Sequence, residues 1–222
     1  LAVECFDPHE PFHVPPPYDT MYGDPVPNET YWPRYGRADA YEPRALERVR
    51  QLYAAKITML DAWLGRLLDR LDRYRLWDDT LVILTADHGH YLGEHNALGK
   101  PCVPPWQTLF HIPLVIHMPG GPEGTRSAAL STAVDINATI RDFLKLERKR
   151  PGHGRSLLPV LRREKESVRE GVVMGYWGET FAFTDGLWKL HQAPVPGKGT
   201  ATKIIRPTFS YFLTRSLLFS AR

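Results

Sequence analysis

Cysteine is nearly absent: Cys5 and Cys102 are the only two among 222 residues. Two thiols build no disulfide framework. They are compatible with a reducing compartment without establishing one. An excess of one charge is also lacking, since 28 Lys and Arg against 25 Asp and Glu leave a net charge of +3. That is too little to argue for nucleic acid, and the aromatic residues do not interleave with Lys and Arg in a nucleic-acid-binding pattern. No apolar run of about 18 residues occurs, which excludes a transmembrane helix of the usual kind. No internal repeat is visible, which excludes a solenoid. The chain opens without Met and without a signal-peptide pattern. Its first residues, Leu1-Ala2-Val3-Glu4-Cys5-Phe6, read as a strand already inside a fold. The expectation is a segment of a longer protein, located in the cytoplasm or, with a signal upstream, exported.

Proline, in contrast, is abundant, at 20 residues. Many fall before Tyr35 or between Pro101 and Pro105, and those segments are predicted loops. A helix follows the first loop. Leu46, Val49, Tyr53, Ile57, Leu60, Leu64, Leu67 and Leu71 recur at steps of three and four and paint one apolar stripe. The stripe is predicted core, packed on a sheet. Arg48, Arg50, Lys56, Arg66, Asp69 and Arg70 read as its solvated face. Downstream, 81–84 and 114–118 read as strands. Asp135 is a predicted N-cap for a helix over 136–146. Short strands follow over 172–177, 180–184 and 187–191, with Asp185-Gly186 as a two-residue type I′ turn. The tail 209–222 is apolar and basic and could form an amphipathic helix.

The most informative stretch follows the first of these strands: Thr85-Ala86-Asp87-His88-Gly89, then Leu92-Gly93-Glu94-His95 and Leu98-Gly99-Lys100. A buried strand ending in Asp-His-Gly brings a carboxylate and an imidazole to the carboxyl edge of a sheet, where open α/β folds place ligands. Carboxylate oxygen and neutral imidazole nitrogen are both metal donors. A lysine on the next loop could meet an anion held there. Taken alone, Asp and Gly often do no more than end a strand.

The order of these elements, closing with His111-Ile112-Pro113-Leu114-Val115-Ile116-His117-Met118-Pro119-Gly120, resembles the sulfatase family of the alkaline-phosphatase superfamily. Gly154-Arg155-Ser156-Leu157-Leu158-Pro159 also looks like the family, which usually has Asp where His153 stands here. The resemblance covers about residues 1–191. It implies an α/β fold: a partial alkaline-phosphatase-like sheet flanked by helices over 1–165, a small antiparallel β subdomain over 166–193, and a tail over 194–222. It implies a hydrolase of sulfate esters of a small molecule or carbohydrate. Asp87 and His88 would be ligands of one divalent metal ion, with calcium preferred and zinc or manganese open. Lys100 would contact the sulfate group. His9, in Asp7-Pro8-His9-Glu10-Pro11-Phe12, would stand near the leaving group, as in the family's Pro-His-x-Pro-Phe/Trp segment. His95 would shape its loop, and Lys189 receives no chemistry.

The family's nucleophile is a Cys or Ser of a Cys/Ser-x-Pro-x-Arg motif, matured to formylglycine. Cys102-Val103-Pro104-Pro105-Trp106 lacks the Arg and lies on the wrong side of the metal motif; Cys5-Phe6-Asp7-Pro8 fails as well. The formylglycine is therefore expected only in a missing amino-terminal part, and the chain alone should be inactive. Two alternatives stand beside this reading. One is a phosphonate monoester or phosphodiester hydrolase of the same superfamily, whose loop also carries Leu-Gly-Lys. The other is a non-catalytic remnant.

Overall fold

Pro43 fixes the first φ of a 31-residue helix in which Gly65 is the only interior breaker. In chain order the elements of the computed structural model are β1 (Gly36–Arg37), α1 (Pro43–Arg73), β2 (Val82–Thr85), β3 (Tyr91–Leu92), β4 (Ala97–Gly99), α2 (Gln107–Phe110) and β5 (Leu114–His117). Then come α3 (Ala133–Phe143), α4 (Leu158–Leu161), β6 (Val172–Gly175), β7 (Phe181–Thr184), β8 (Lys189–Pro194) and β9 (Thr200–Ile205). The structure describes residues 1–101, 103–147, 152–176, 180–194 and 200–205. Cys102, Trp177 and the predicted tail helix lie outside the described residues. The chain divides into two compact units, one of residues 1–76 and 88–112, the other of 77–87 and 113–222. No helix among the described residues is long and apolar enough to cross a membrane.

The first unit joins α1 to a three-stranded antiparallel sheet ordered β1-β4-β3. Its core is Phe12, Val14, Ala38, Val49, Leu52, Ala55 and Leu98, with Tyr53 and Leu46 packed against it. Only the amino-terminal half of the predicted stripe is core. Ile57 and Leu67 are 42% and 38% exposed, and buried Leu52 and Ala55 stand off the predicted line. Two of the predicted solvated charges are buried instead, because each finds partners. Arg48 pairs with Glu29 and donates to the carbonyls of Gly23 and Asp19 at 2.7 and 2.8 Å. Lys56 pairs with Asp7 and donates to the His9 carbonyl at 2.8 Å. A buried charge survives only when paired and hydrogen-bonded in this way. Residues 1–6 form no strand and are exposed. With no neighbouring strand to take their N–H and C=O groups, an apolar alternation alone does not make a ladder.

In the second unit β2 and β5 pair antiparallel, with Leu84 opposite Val115 and Thr85 opposite Leu114. The expectation of a buried strand does not hold, since Leu84 and Val115 are 43% and 60% exposed. Among the described residues this sheet has two strands only, so each strand has one neighbour. Helix α3 starts three residues earlier than predicted. Thr132 is the N-cap, and Asp135, at the third helical position, returns its carboxylate to the Thr132 N–H at 2.8 Å, making a capping box. Asp135 is fully buried. It also accepts from Arg155 N–H at 2.7 Å and from the Arg169 guanidinium in fork geometry. Burial pushes its carboxyl up, but these donors outweigh burial and hold it below the ordinary carboxylate range. Removing one partner of such a pair costs about 3–5 kcal/mol.

The small antiparallel subdomain is present as a four-stranded sheet ordered β6-β7-β8-β9. The turn at Asp185-Gly186 is longer than predicted. Thr184 pairs with Lys189, so 185–188 form the connection. The Asp185 carboxylate accepts from the N–H groups of Leu187 and Trp188 at 2.9 and 2.7 Å. That local capture competes with the tighter turn.

Candidate active site

The register of β1, β4 and β3 decides which side chains meet. Gly36 pairs with Leu98 and Tyr91 with Gly99. Tyr35, His90 and Lys100, each one residue beyond these strands, therefore emerge at one end of the sheet. Gly99 sits at φ +82°, and a Cβ there would run into the Tyr35 ring. The glycine before Lys100 is thus required on both counts. Gly89 of the Asp-His-Gly segment has a different reason. Its N–H donates to Leu109 O at 2.8 Å, and a Cβ would strike the Thr108 carbonyl oxygen.

Into this strand end comes the loop carrying His9 and Glu10. Its backbone is held by Lys56 at the His9 carbonyl and by Phe12 N–H to Tyr31 O at 2.6 Å. The ring of Phe6 lies 4.4 Å from that of His9. Lys100 Nζ is 2.9 Å from His9 Nε2. His9 Nδ1 is 2.7 Å from the Glu10 carbonyl oxygen. A carbonyl only accepts, so Nδ1 carries the hydrogen and Nε2 offers its lone pair to the ammonium; this tautomer is assigned from the hydrogen-bond pattern. His9 and Lys100 are 32% and 15% exposed, so both reach the surface of the site.

Behind the pair lies a carboxylate. Glu10 is fully buried, accepts a hydrogen bond from the Tyr35 hydroxyl, and stands 3.4 Å from Lys100 Nζ. Its other oxygen is 3.7 Å from Nδ1 of His90. His90 is enclosed by Tyr53, stacked at 6.0 Å, and by the edges of Phe12 and Tyr35. Burial pushes its imidazole down to about 4, with Lys100, His9 and His88 acting in the same direction and Glu10 against it. It is neutral at neutral pH. Sequence reading passed over Glu10, Tyr35 and His90. A carboxylate set between His9 and Pro11 in a segment that buries Phe12 was the available signal for Glu10; nothing local marked Tyr35.

Of the predicted site residues, His9 and Lys100 come together. Asp87 ends its stretch of the second unit and His88 begins the next stretch of the first; both are exposed. His88 Nδ1 is 2.8 Å from Gly89 O. That contact fixes the orientation of the ring. Among the described residues no group of three or more His, Cys, Asp or Glu could hold a metal ion. Calcium takes six to eight oxygens, so these residues do not make a complete site for it. His95 stacks on Trp106 at 4.3 Å. Lys189 is buried, and burial pushes its ammonium down to about 8.

Residues 5–146 match the family model described as Sulfatase. The multifunctional alkaline phosphatase superfamily protein PehA of Trinickia caryophylli is 40% identical over 124 residues, covering 55% of this chain and 24% of that protein. Choline-sulfatase of Rhizobium meliloti is 34% identical over 152 residues, covering 65% and 29%. The chain thus spans under a third of the length of these two relatives. In fold it resembles the phosphonate monoester hydrolase of Silicibacter pomeroyi, with a TM-score of 0.73 at 24% identity over 91% of this chain and 48% of the other. Members of the family generally use a divalent metal ion. The family match spans more than half of the chain and encloses the strand, Asp-His-Gly and Gly-Lys segments, so the chain belongs to the sulfatase family of hydrolases, within the alkaline-phosphatase superfamily.

Proposed function

We propose that the chain is part of a sulfuric ester hydrolase and supplies its leaving-group side. The observation that carries this is the 2.9 Å contact between Lys100 Nζ and His9 Nε2. An ammonium and an imidazole at one surface match the two demands of sulfate ester cleavage on that side. Lys100 donates to a non-bridging sulfate oxygen as negative charge grows there. His9, protonated at Nε2, donates to the ester oxygen as its bond to sulfur breaks. The proton passes to Nε2 along the existing contact from the Lys100 ammonium, which keeps two N–H groups for the sulfate oxygen. It ends on the departing alcohol, and Lys100 takes its replacement from solvent.

Asp87 and His88 are proposed as two donors of a divalent metal ion, with calcium first, and with the remaining donors outside the described residues. The ion would neutralise charge on the ester oxygens. The 222 residues contain no Cys/Ser-x-Pro-x-Arg motif, so the nucleophile is proposed to lie elsewhere in the whole protein, and this chain alone should not turn over an ester. The substrate class is a sulfated small molecule or carbohydrate. Phosphonate monoester or phosphodiester hydrolysis is the second reading, favoured by the likeness in fold to a phosphonate monoester hydrolase.

The test uses the protein read from the complete open reading frame, with an alkyl sulfate, an aryl sulfate and an aryl phosphonate. Turnover of both sulfates is expected. His9→Ala should cost about a hundredfold on the alkyl ester, where an acid is needed, and far less on the aryl ester. Equal losses would make His9 a positioning residue. Turnover confined to the phosphonate would select the second reading, and turnover of none would leave a non-catalytic protein.

A further inference from the structure

The carboxylate behind the pair has no part in the chemistry above, and its setting calls for one. Glu10 is fully buried, and a buried carboxylate is costly unless its charge is met. One oxygen, Oε1, takes the Tyr35 hydroxyl and faces Lys100 Nζ at 3.4 Å. The other, Oε2, has no hydrogen-bond partner among the described residues; it lies 3.5 Å from Nδ1 of His9 and 3.7 Å from Nδ1 of His90. The same residue's carbonyl accepts from His9 Nδ1. Glu10 therefore touches both members of the pair, Lys100 through its side chain and His9 through backbone and side chain.

We propose that Glu10 is the positioning residue of the His9–Lys100 pair: its carboxylate holds the ammonium against the imidazole, and Tyr35 holds the carboxylate. Three features fit this role. First, the negative charge sits behind Lys100 and His9, fully covered, so an anionic ester approaching the exposed side meets the ammonium and not the carboxylate. Second, Lys100 has three N–H donors. One is directed to His9 at 2.9 Å, and the Glu10 carboxylate 3.4 Å from Nζ draws the ammonium from the covered side. Third, Tyr35 occupies its place because Gly99 has no side chain. The residue before Lys100 in sequence thereby controls the residue that orients Glu10.

The inference rests on the proposed leaving-group role of the pair, so its test has one arm that needs no activity. In the 222-residue chain, NMR should show cross-relaxation between the Lys100 ε-methylene and the His9 ring, together with ring nitrogen shifts of the Nδ1–H tautomer. Glu10→Gln, which keeps the shape and removes the charge, should lose the Lys100–His9 contact. In the protein from the complete reading frame, Glu10→Gln should lower kcat about tenfold or more while KM changes less than about threefold, because orientation and not ground-state binding is lost. Glu10→Asp should recover part of that loss. Tyr35→Phe should loosen the contact and lower kcat about threefold. A Lys100–His9 contact that survives Glu10→Gln overturns the proposal whatever the kinetics. If the wild-type protein hydrolyses no ester and the contact still depends on Glu10, the positioning role stands and the functional reading falls. Should Glu10→Gln not fold, the same decision passes to Tyr35→Phe, where an unchanged contact with unchanged kcat overturns it.

Discussion

Lys100→Ala is expected to lower turnover about a hundredfold or more in the protein read from the complete reading frame, the usual cost of losing one preorganised donor to a developing anion. The structure gives the reason a physical basis. Lys100 is only 15% exposed and already directed by His9 and Glu10, so its ammonium needs little rearrangement to meet a sulfate oxygen. Lys100→Arg should not restore full activity. A planar guanidinium directs its donors in a fixed fork, while the Tyr35 ring centroid lies 5.2 Å from Nζ and leaves little room for it. Steady-state kinetics on an aryl sulfate decides this. A Lys100→Ala protein within about fivefold of wild type would remove the lysine from the sulfate site.

Asp87→Ala is expected to abolish turnover and to strip most of the metal ion from the same protein. Asp87 is the carboxylate this segment offers at the end of the β2 strand, and calcium depends on oxygen donors of that kind. His88→Ala should weaken both properties without abolishing them. Its imidazole is oriented by the Gly89 carbonyl at 2.8 Å, but nitrogen is the poorer donor for a hard cation. Elemental analysis of the purified variants, beside activity, checks this. Unchanged metal content in Asp87→Ala would move the metal away from the Asp-His-Gly segment.

Much of the fold could be read because periodicity and turn chemistry are local. The long helix, the strands on either side of the Asp-His-Gly segment and the antiparallel subdomain all left patterns in neighbouring residues. Errors arose where distant partners decide. Arg48 and Lys56 carry the sequence signature of a solvated helix face. They are buried because Glu29, Asp7 and the carbonyls of Asp19, Gly23 and His9 come from a loop 19 to 49 positions away. Asp135 reads as an N-cap from its neighbours alone; the Thr132 capping box and the Arg169 fork place it a turn inside α3. The site shows the same division. His9 and Lys100 stand out in short motifs, but nothing local says that residues 91 positions apart share a hydrogen bond. Tyr35 and His90 become visible through the strand register that gathers them, and Glu10 through its contacts with Tyr35 and Lys100.

That hydrogen bond also revises how the two residues act. The motifs alone suggest separate duties, Lys100 on sulfate and His9 on the leaving oxygen, and hence independent losses. Side chains 2.9 Å apart are expected to be coupled, and contacting residues commonly show interaction energies of about 0.5–3 kcal/mol. The most direct measurement is a double-mutant cycle of His9→Ala and Lys100→Ala, with kcat on an alkyl sulfate in the protein read from the complete reading frame. The expected result is a double variant clearly more active than the product of the two single losses allows, because either substitution already disables the pair. Losses that multiply within experimental error would contradict a shared catalytic unit and leave two side chains that merely lie close together.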